Sequence, residues 1–330
     1  MRIMFPLLSV VGLLLIAIIG VGVMNLTFLF GIVIPYLAAF TFIIGVIFRV
    51  VKWAHSPTPF RIPTTAGQQK SLPWIKQSTF ENPSTTWGVI GRMAMEIFLF
   101  RSLFRNLKTE LGDDKNLIHG SAKWLWLAGI VFHYSFLIVF LRHIRFFTQP
   151  APFYLNILET FDGFLQIGAP RLFITGILLL VAVTYLLIRR LYIPQVRYIS
   201  LASDYFPLFM IISIASTGIL MRYFFKTDIV AVKELTMGLA TFNPIIPEGI
   251  GAIFYIHLFL VSIFFAYFPF SKLVHLGGVF LSPTRNIAAN SREIMHVNPW
   301  NYPVKTRTYE EYEDEFRDKM KMAEIPVEKE

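Results

Sequence analysis

The chain has 330 residues, of which 55% are hydrophobic, 16% aromatic and only 15% charged, with a mean hydropathy of +0.58. Such a composition excludes a water-soluble domain of this size and indicates an integral membrane protein, while the absence of cysteine excludes disulfides, thiolate-ligated iron–sulfur clusters and C-x-x-C-H haem attachment. The net charge of +9 does not call for nucleic acid, because basic residues of a membrane protein gather beside one face of the bilayer.

A helix needs about 20 apolar residues to cross roughly 30 Å of hydrocarbon. In chain order the apolar runs predict six transmembrane helices, near 5–24, 28–50, 122–146, 169–191, 204–224 and 251–271, and so an all-α integral membrane protein. The first run competes with a cleaved signal peptide, but it lacks an A-x-A-like site and a second span follows at once, after a tight turn near Asn25. Pro35 and Pro269 predict kinks within their spans. The predicted organisation is an extra N-terminal helix (1–27), a second helix (28–50), a polar segment (51–121), four bundle helices (122–280) and a tail (281–330).

Placing the N-terminus, residues 49–123, the 189–197 loop and the tail on one side gives that side 24 Lys and Arg. The other side has six: Arg142, Arg145, Arg171, Arg222, Lys226 and Lys233. Positive charge stays inside, so both termini are expected in the cytoplasm and the protein in the cytoplasmic (inner) membrane. The stretch 88-GVIGRMAMEIFLFRSLFRNLKTEL-111 spaces Ile90, Met93, Ile97, Phe100, Phe104 and Leu107 as one helical face and predicts an interfacial amphipathic helix on the cytoplasmic lipid surface. A seventh span there would put its arginines in lipid at high cost. The charged end 309-YEEYEDEFRDKMKMAEIPVEKE-330 reads as solvated or as a docking segment for a soluble partner, and no internal repeat is present.

Seven histidines remain, at 55, 119, 133, 143, 257, 275 and 296. His55, His119 and His296 fall in polar loops and read as solvated side chains. The other four lie in or beside spans, where polar groups are costly and face a bundle interior. His133 and His143 sit on the third span and His257 and His275 on the sixth, which run in opposite directions, so His133 is level with His275 and His143 with His257. At 1.5 Å rise the first two are about 15 Å apart and the second two about 27 Å, leaving about 12 Å to be absorbed by tilt, side-chain reach, oblique ring planes or a bend at Pro269. On straight helices His257 and His275 share a stripe, whereas His133 and His143 point about 80° apart.

Two neutral imidazoles on opposite sides of a porphyrin give a six-coordinate b-type haem suited to electron transfer. Histidines bonded to helix carbonyls, a proton relay, or another metal are the alternatives that the pattern alone leaves open; zinc would want more ligands. A transporter would show two related halves with broken helices, and a plain membrane anchor would not need four aligned histidines.

The runs 31-GIVIPYLAAFTFIIGVIFR-49, 131-VFHYSFLIVFLRH-143, 186-LLIRRLYIPQVRYISLASDY-205 and 256-IHLFLVSIFFAYFPFSKLVHL-276 together resemble the di-haem cytochrome b family of the respiratory nitrate reductase gamma subunit. The likeness covers roughly residues 28–280 and includes the ten- and eighteen-residue histidine spacings and an F-P-F-S-[KR]-L-x-H motif. The extra first span, the long 51–121 segment and the tail from 285-RNIAANSREIMHVNPWNYPVKTRTYEEYEDEF-316 are similar to the DsrM family, cytochrome b subunits of the membrane complex that accompanies dissimilatory sulfite reductase. That resemblance implies a four- to five-helix bundle with two haem b groups, menaquinol as electron donor, and a cytoplasmic iron–sulfur subunit similar to heterodisulfide reductase as acceptor. It further implies a multihaem cytochrome c, a periplasmic-side iron–sulfur protein and a second quinone-interacting membrane subunit as partners.

The expected ligands are His133 with His275 for an inner haem and His143 with His257 for an outer one. Quinol oxidation is expected near the outer haem, with Arg171 holding a quinone oxygen or anchoring its helix at the headgroups. Glu159 or Asp162 are expected to accept protons, and Arg142 and Arg145 to pair with haem propionates or lipid phosphates. Asp204 reads as a helix N-cap.

Overall fold

The computed structural model describes residues 2–56, 58, 61–62, 67–165, 170–293 and 306–329. Six helices in it are long and apolar enough to cross a membrane, Met4–Val23, Leu29–Ala54, Lys123–Phe146, Ile174–Tyr192, Ala202–Tyr223 and Ala252–Phe270, close to the predicted bounds. In chain order the helices are α1 (Met4–Ala17), α2 (Ile34–Ala54), α3 (Thr86–Leu99), α4 (Arg101–Phe104), α5 (Lys123–His143), α6 (Tyr154–Asp162) and α7 (Ile174–Tyr192). They continue as α8 (Pro194–Ile199), α9 (Ala202–Tyr223), α10 (Ile229–Ala240), α11 (Ala252–Tyr267), α12 (His275–Gly278) and α13 (Tyr309–Met322), and one hairpin pairs β1 (Leu107–Leu111) with β2 (Leu117–Ser121).

The first two spans meet through π-helical turns, Ile18–Val23 and Leu29–Val33, about a left-handed Asn25 (φ 52), a conformation asparagine tolerates. Helix α5 packs on α7, α7 on α9, α9 on α11 and α11 on α2, while α1 lies against α9. Their shared core holds Val10, Val183, Met210, Leu235, Tyr255 and Leu260, all nearly inaccessible. Helices α5 and α11 are not among the closely packed pairs; the histidines lie where these two helices face each other.

The predicted amphipathic helix 88–111 is shorter than its periodicity suggests. It is capped by the Thr85 hydroxyl, which accepts from Gly88 N at 3.2 Å, and stops where Phe100 turns left-handed (φ 49). One further turn, α4, follows, and Leu107 begins the hairpin. Its apolar side faces outward, as a lipid-facing surface requires, with Trp87, Ile90 and Phe98 exposed, and Arg92 and Glu96 turn inward with Val89. The reason is the returning chain beyond α12, which supplies partners for the charges. Arg285 pairs with Glu96 at 2.8 Å, Arg61 and Arg92 donate to the Thr284 carbonyl at 3.0 and 3.3 Å, and Ala289 N donates to Pro83 O at 2.7 Å. Burial, then the neighbouring charge of Arg92, pushes the Arg61 guanidinium down to about 10. Arg101 pairs with Glu81 at 2.8 Å, and Arg105 binds the same carboxylate.

The charged end is helical and mostly exposed. Thr308 and Glu311 form a capping box for α13, and buried Glu313 accepts from the backbone N–H groups of Glu328 and Lys329 at 2.7 and 2.9 Å. Those bonds, burial notwithstanding, hold the Glu313 carboxyl below its ordinary range.

Candidate functional site

The sixth span contains the feature that organises the site. Helix α11 ends at Tyr267, ten residues after His257, the same interval that separates His133 from His143 on α5. A 3-10 turn Phe268–Phe270 follows, then an extended Ser271 (φ −112, ψ 178) whose hydroxyl caps Leu273 N at 3.1 Å, then a second 3-10 turn that delivers His275. Pro269 cannot donate the bond that a continuing helix needs. The chain beyond it is fastened elsewhere: Arg49 on α2 donates to the Pro269 carbonyl at 3.2 Å, and Lys272 pairs with Asp204 at 2.7 Å. Asp204 also accepts from Leu201 N at 2.9 Å; it serves the start of α9 from the third helical position, and the N-cap it was expected to be is Leu201.

This break resolves both mismatches of straight helices. Ten regular residues give about 15 Å on each side, and the last eight add little net rise. They also carry His275 off the stripe of α11 and towards His133, which a regular α5 points about 80° away from His143. The result is two pairs of rings. His143 and His257 have centroids 6.4 Å apart and planes 15° from parallel. His133 and His275 have centroids 6.0 Å apart with planes at 86°.

Every one of the four Nδ1 atoms is engaged. His133 donates to Gly129 O at 2.7 Å, His143 to Val139 O at 2.7 Å and His275 to Lys272 O at 3.0 Å. His257 meets the Thr217 hydroxyl at 2.8 Å. A carbonyl can only accept, so Nδ1 carries the proton and Nε2 is left as a bare donor atom, as in metal-bound imidazoles generally. Neighbouring side chains do not close over the rings: His133, His143 and His275 are exposed and His257 is half-buried. With a metal–imidazole bond of about 2 Å, two trans imidazoles place their ring centres about 6 Å apart. Spacing, tautomer and open access thus all fit a haem iron held between each pair. Among the described residues no three or more His, Asp or Glu converge, so a polydentate metal site has no donors here.

The surroundings of the two pairs differ. Beside His133, Phe100 makes an edge contact with the ring at 5.0 Å, and Trp126, two turns earlier on α5, donates to Leu99 O at 2.8 Å, tying α3 and α4 onto α5. Beside His143 lies a charged cluster. Arg142 pairs with Asp162 at 2.7 Å, and the same carboxylate accepts from Thr175 N and Oγ1 at 2.7 and 2.6 Å. Arg145 pairs with Glu159 at 2.5 Å. Arg142 and Arg222 stack on the Phe173 ring at 3.9 and 4.0 Å. Arg171 lies over Gly163 and reaches the Glu159 carbonyl at 3.5 Å, while its own carbonyl accepts from Arg222 at 3.0 Å.

Arg142 and Arg145, expected to meet propionates or phosphates, therefore have carboxylate partners within the chain. The Nε atoms of Arg142 and Arg222 are still buried without a hydrogen-bond partner among the described residues. Sequence reading missed Phe173 and Thr217, which carry no motif, and put Phe100 on the lipid-facing side of 88–111 without its contact to His133; the signal for Thr217 is a hydroxyl in an apolar span. His119 bonds Thr109 across the hairpin at 3.1 Å, away from the four, and His296 lies outside the described residues.

The nitrate reductase gamma subunit family matches residues 84–289 of the chain. The "Hdr-like menaquinol oxidoreductase cytochrome b-like subunit" of Archaeoglobus fulgidus is 46% identical over 280 residues, covering 83% of each chain. A protein of the same name from Archaeoglobus profundus is 42% identical over 277 residues, covering 81% of each. The broken sixth span, its two histidines and their partners on α5 all lie within the matched region, and the chain belongs to the nitrate reductase gamma subunit family.

Proposed function

We propose that this protein is the membrane cytochrome b subunit of a menaquinol-oxidising complex. It would hold one haem b between His143 and His257 and a second between His133 and His275. The observation that carries this reading is the pair of ring separations, 6.0 and 6.4 Å, with all four Nδ1 atoms tied off. When bound, the two groups supply a one-electron path across the bilayer; the chain supplies ligands, spacing and insulation.

Orientation follows from the basic residues, with the His133–His275 end facing the cytoplasm. Menaquinol releases two electrons and two protons as it becomes menaquinone. Near His143, the pairs Arg142–Asp162 and Arg145–Glu159 with Arg171 offer charged groups at one headgroup level, suited to orienting a quinol and receiving its protons. Without cysteine the chain holds no iron–sulfur relay of its own, so the electrons pass to a cytoplasmic iron–sulfur subunit similar to heterodisulfide reductase. The menaquinol and Hdr-like terms in the relatives' names support this assignment. The finer reading is a place in a sulfite-reductase-associated complex with a multihaem cytochrome c, a periplasmic-side iron–sulfur protein and a second quinone-interacting membrane subunit.

A reduced-minus-oxidised spectrum of the purified chain, with haem extracted and counted, tests the reading. Two b-type haems per chain, reducible by a menaquinol analogue, are expected. A colourless protein would remove it.

A further inference from the structure

We infer that Thr217, on α9, is a positioning residue for the His143–His257 centre. It sets the ring plane and donor strength of His257, and the inference rests on the haem reading above. Three of the four imidazoles are oriented by a carbonyl of their own segment, three or four residues back. His257 is held from another helix, by the Thr217 hydroxyl at 2.8 Å with the Ile214 carbonyl of the same helix also bonding the ring.

The direction of the bond is fixed by what lies beyond it. Thr217 Oγ1 is 2.9 Å from Ser213 O and 3.0 Å from Ile214 O, so its single proton goes to its own helix. Only its lone pair remains, and it accepts from His257 Nδ1–H. A hydroxyl that donates to a carbonyl is polarised into a better acceptor. The relay runs imidazole to hydroxyl to helix carbonyl, and it keeps Nε2 bare towards His143. The next residue borders the seat: a Cβ at Gly218 would lie in ordinary contact with His257 Cε1, at 3.4 Å, so the ring edge lies close to α9. The 15° between the planes of His143 and His257 is thus set by α9, not by α11 alone.

An accepted Nδ1–H makes an imidazole more basic and fixes its orientation. Removing the hydroxyl would leave the ring only the Ile214 carbonyl, weakening donation to the iron, disfavouring the ferric form and loosening the ring. Thr217→Val keeps the shape but not the lone pair. Expected results are an upward shift of one haem midpoint potential, an altered low-spin ferric EPR signal for that haem, and retention of it weakened by about 10- to 100-fold, with the other haem unchanged. Thr217→Ser should restore the wild-type potential and signal. Thr217→Ala, which adds no methyl against His257, gives the same reading if valine disturbs α9. Wild-type potentials and EPR signals in both Thr217→Val and Thr217→Ala would overturn the inference. A wild-type chain that binds no haem would instead overturn the function proposed above, which separates the two failures.

Discussion

The His143–His257 pair stands on two regular helices, whereas the His133–His275 pair depends on a helix that breaks. In the first, both residues lie within continuous α-helical runs, the rings are nearly parallel, and charged groups crowd the rim. In the second, one ligand arrives after two 3-10 turns and an extended serine, the rings are perpendicular, and the nearest neighbours are aromatic. Regular helices fix the heights of two imidazoles by periodicity, leaving only the ring plane of His257 to a contact from α9. A broken helix has to be told where to go by contacts from α2 and α9.

The strongest way to break this comparison is at the break. Pro269→Ala restores the missing N–H and lets α11 continue, which would return His275 to the α11 stripe and raise it beyond His133 by about 12 Å. Loss of one haem with the other retained is the expected outcome, read by haem extraction and the optical spectrum. Equal loss of both would deny that the two pairs are independently built.

Asp162→Asn attacks the other side. The carboxylate side chain is only 2% exposed and pairs with Arg142 while accepting from Thr175 twice. Removing one member of a buried ion pair costs about 3–5 kcal/mol, because the remaining charge is left in the interior. Thermal unfolding should register that loss, and quinol oxidation should slow while the spectrum of the His133–His275 haem stays as it was. Undiminished stability would show that Arg142 is solvated rather than locked.

The comparison also explains what could be read from the chain alone. Six spans were legible because apolar length is a local property, and the histidine pairing followed from span direction. The 12 Å mismatch was legible too, and Pro269 marked its place. What periodicity could not show was the sideways course after Ser271, since it is decided by Arg49, Lys272 and Asp204, residues distant in sequence. The same limit hid the inner side of α3: nothing local shows that Arg92 and Glu96 are covered by the returning chain near Thr284 and Arg285, although the outward apolar side, with Ile90 and Phe104, was legible from the periodicity. Arg142 and Arg145 looked free for the same reason, their carboxylates lying on α6.

Gly45→Ala sharpens the role of α2. A Cβ there would come within 2.7 Å of Pro269 Cβ and 2.9 Å of its Cγ, atoms of a rigid ring that cannot turn aside. Overpacking of this kind costs about 1–3 kcal/mol, and the strain falls on the segment that carries His275. The haem of that pair should be lost first on heating or on competition with apomyoglobin, ahead of its partner. Two haems released together would place the control of His275 elsewhere than α2.

The smallest effect concerns Glu81, which anchors the turn bearing Arg101 and so helps hold Phe100 against His133. Burial alone would raise its carboxyl, but the hydrogen bonds and charges of Arg101 and Arg105 outweigh it and hold the group below its ordinary value of 4.5. A carboxylate whose folded value is depressed adds stability that is fully present above the unfolded value and is lost as pH falls through the folded one. The difference in unfolding temperature between the wild type and Glu81→Gln should therefore be constant near neutrality and shrink on acidification below pH 4.5. Because the clamp acts on α4 alone, the same acidification should leave the Thr217–His257 contact and the His143–His257 spectrum untouched. A spectral change shared by both pairs in that range would tie them together through the N-terminal face.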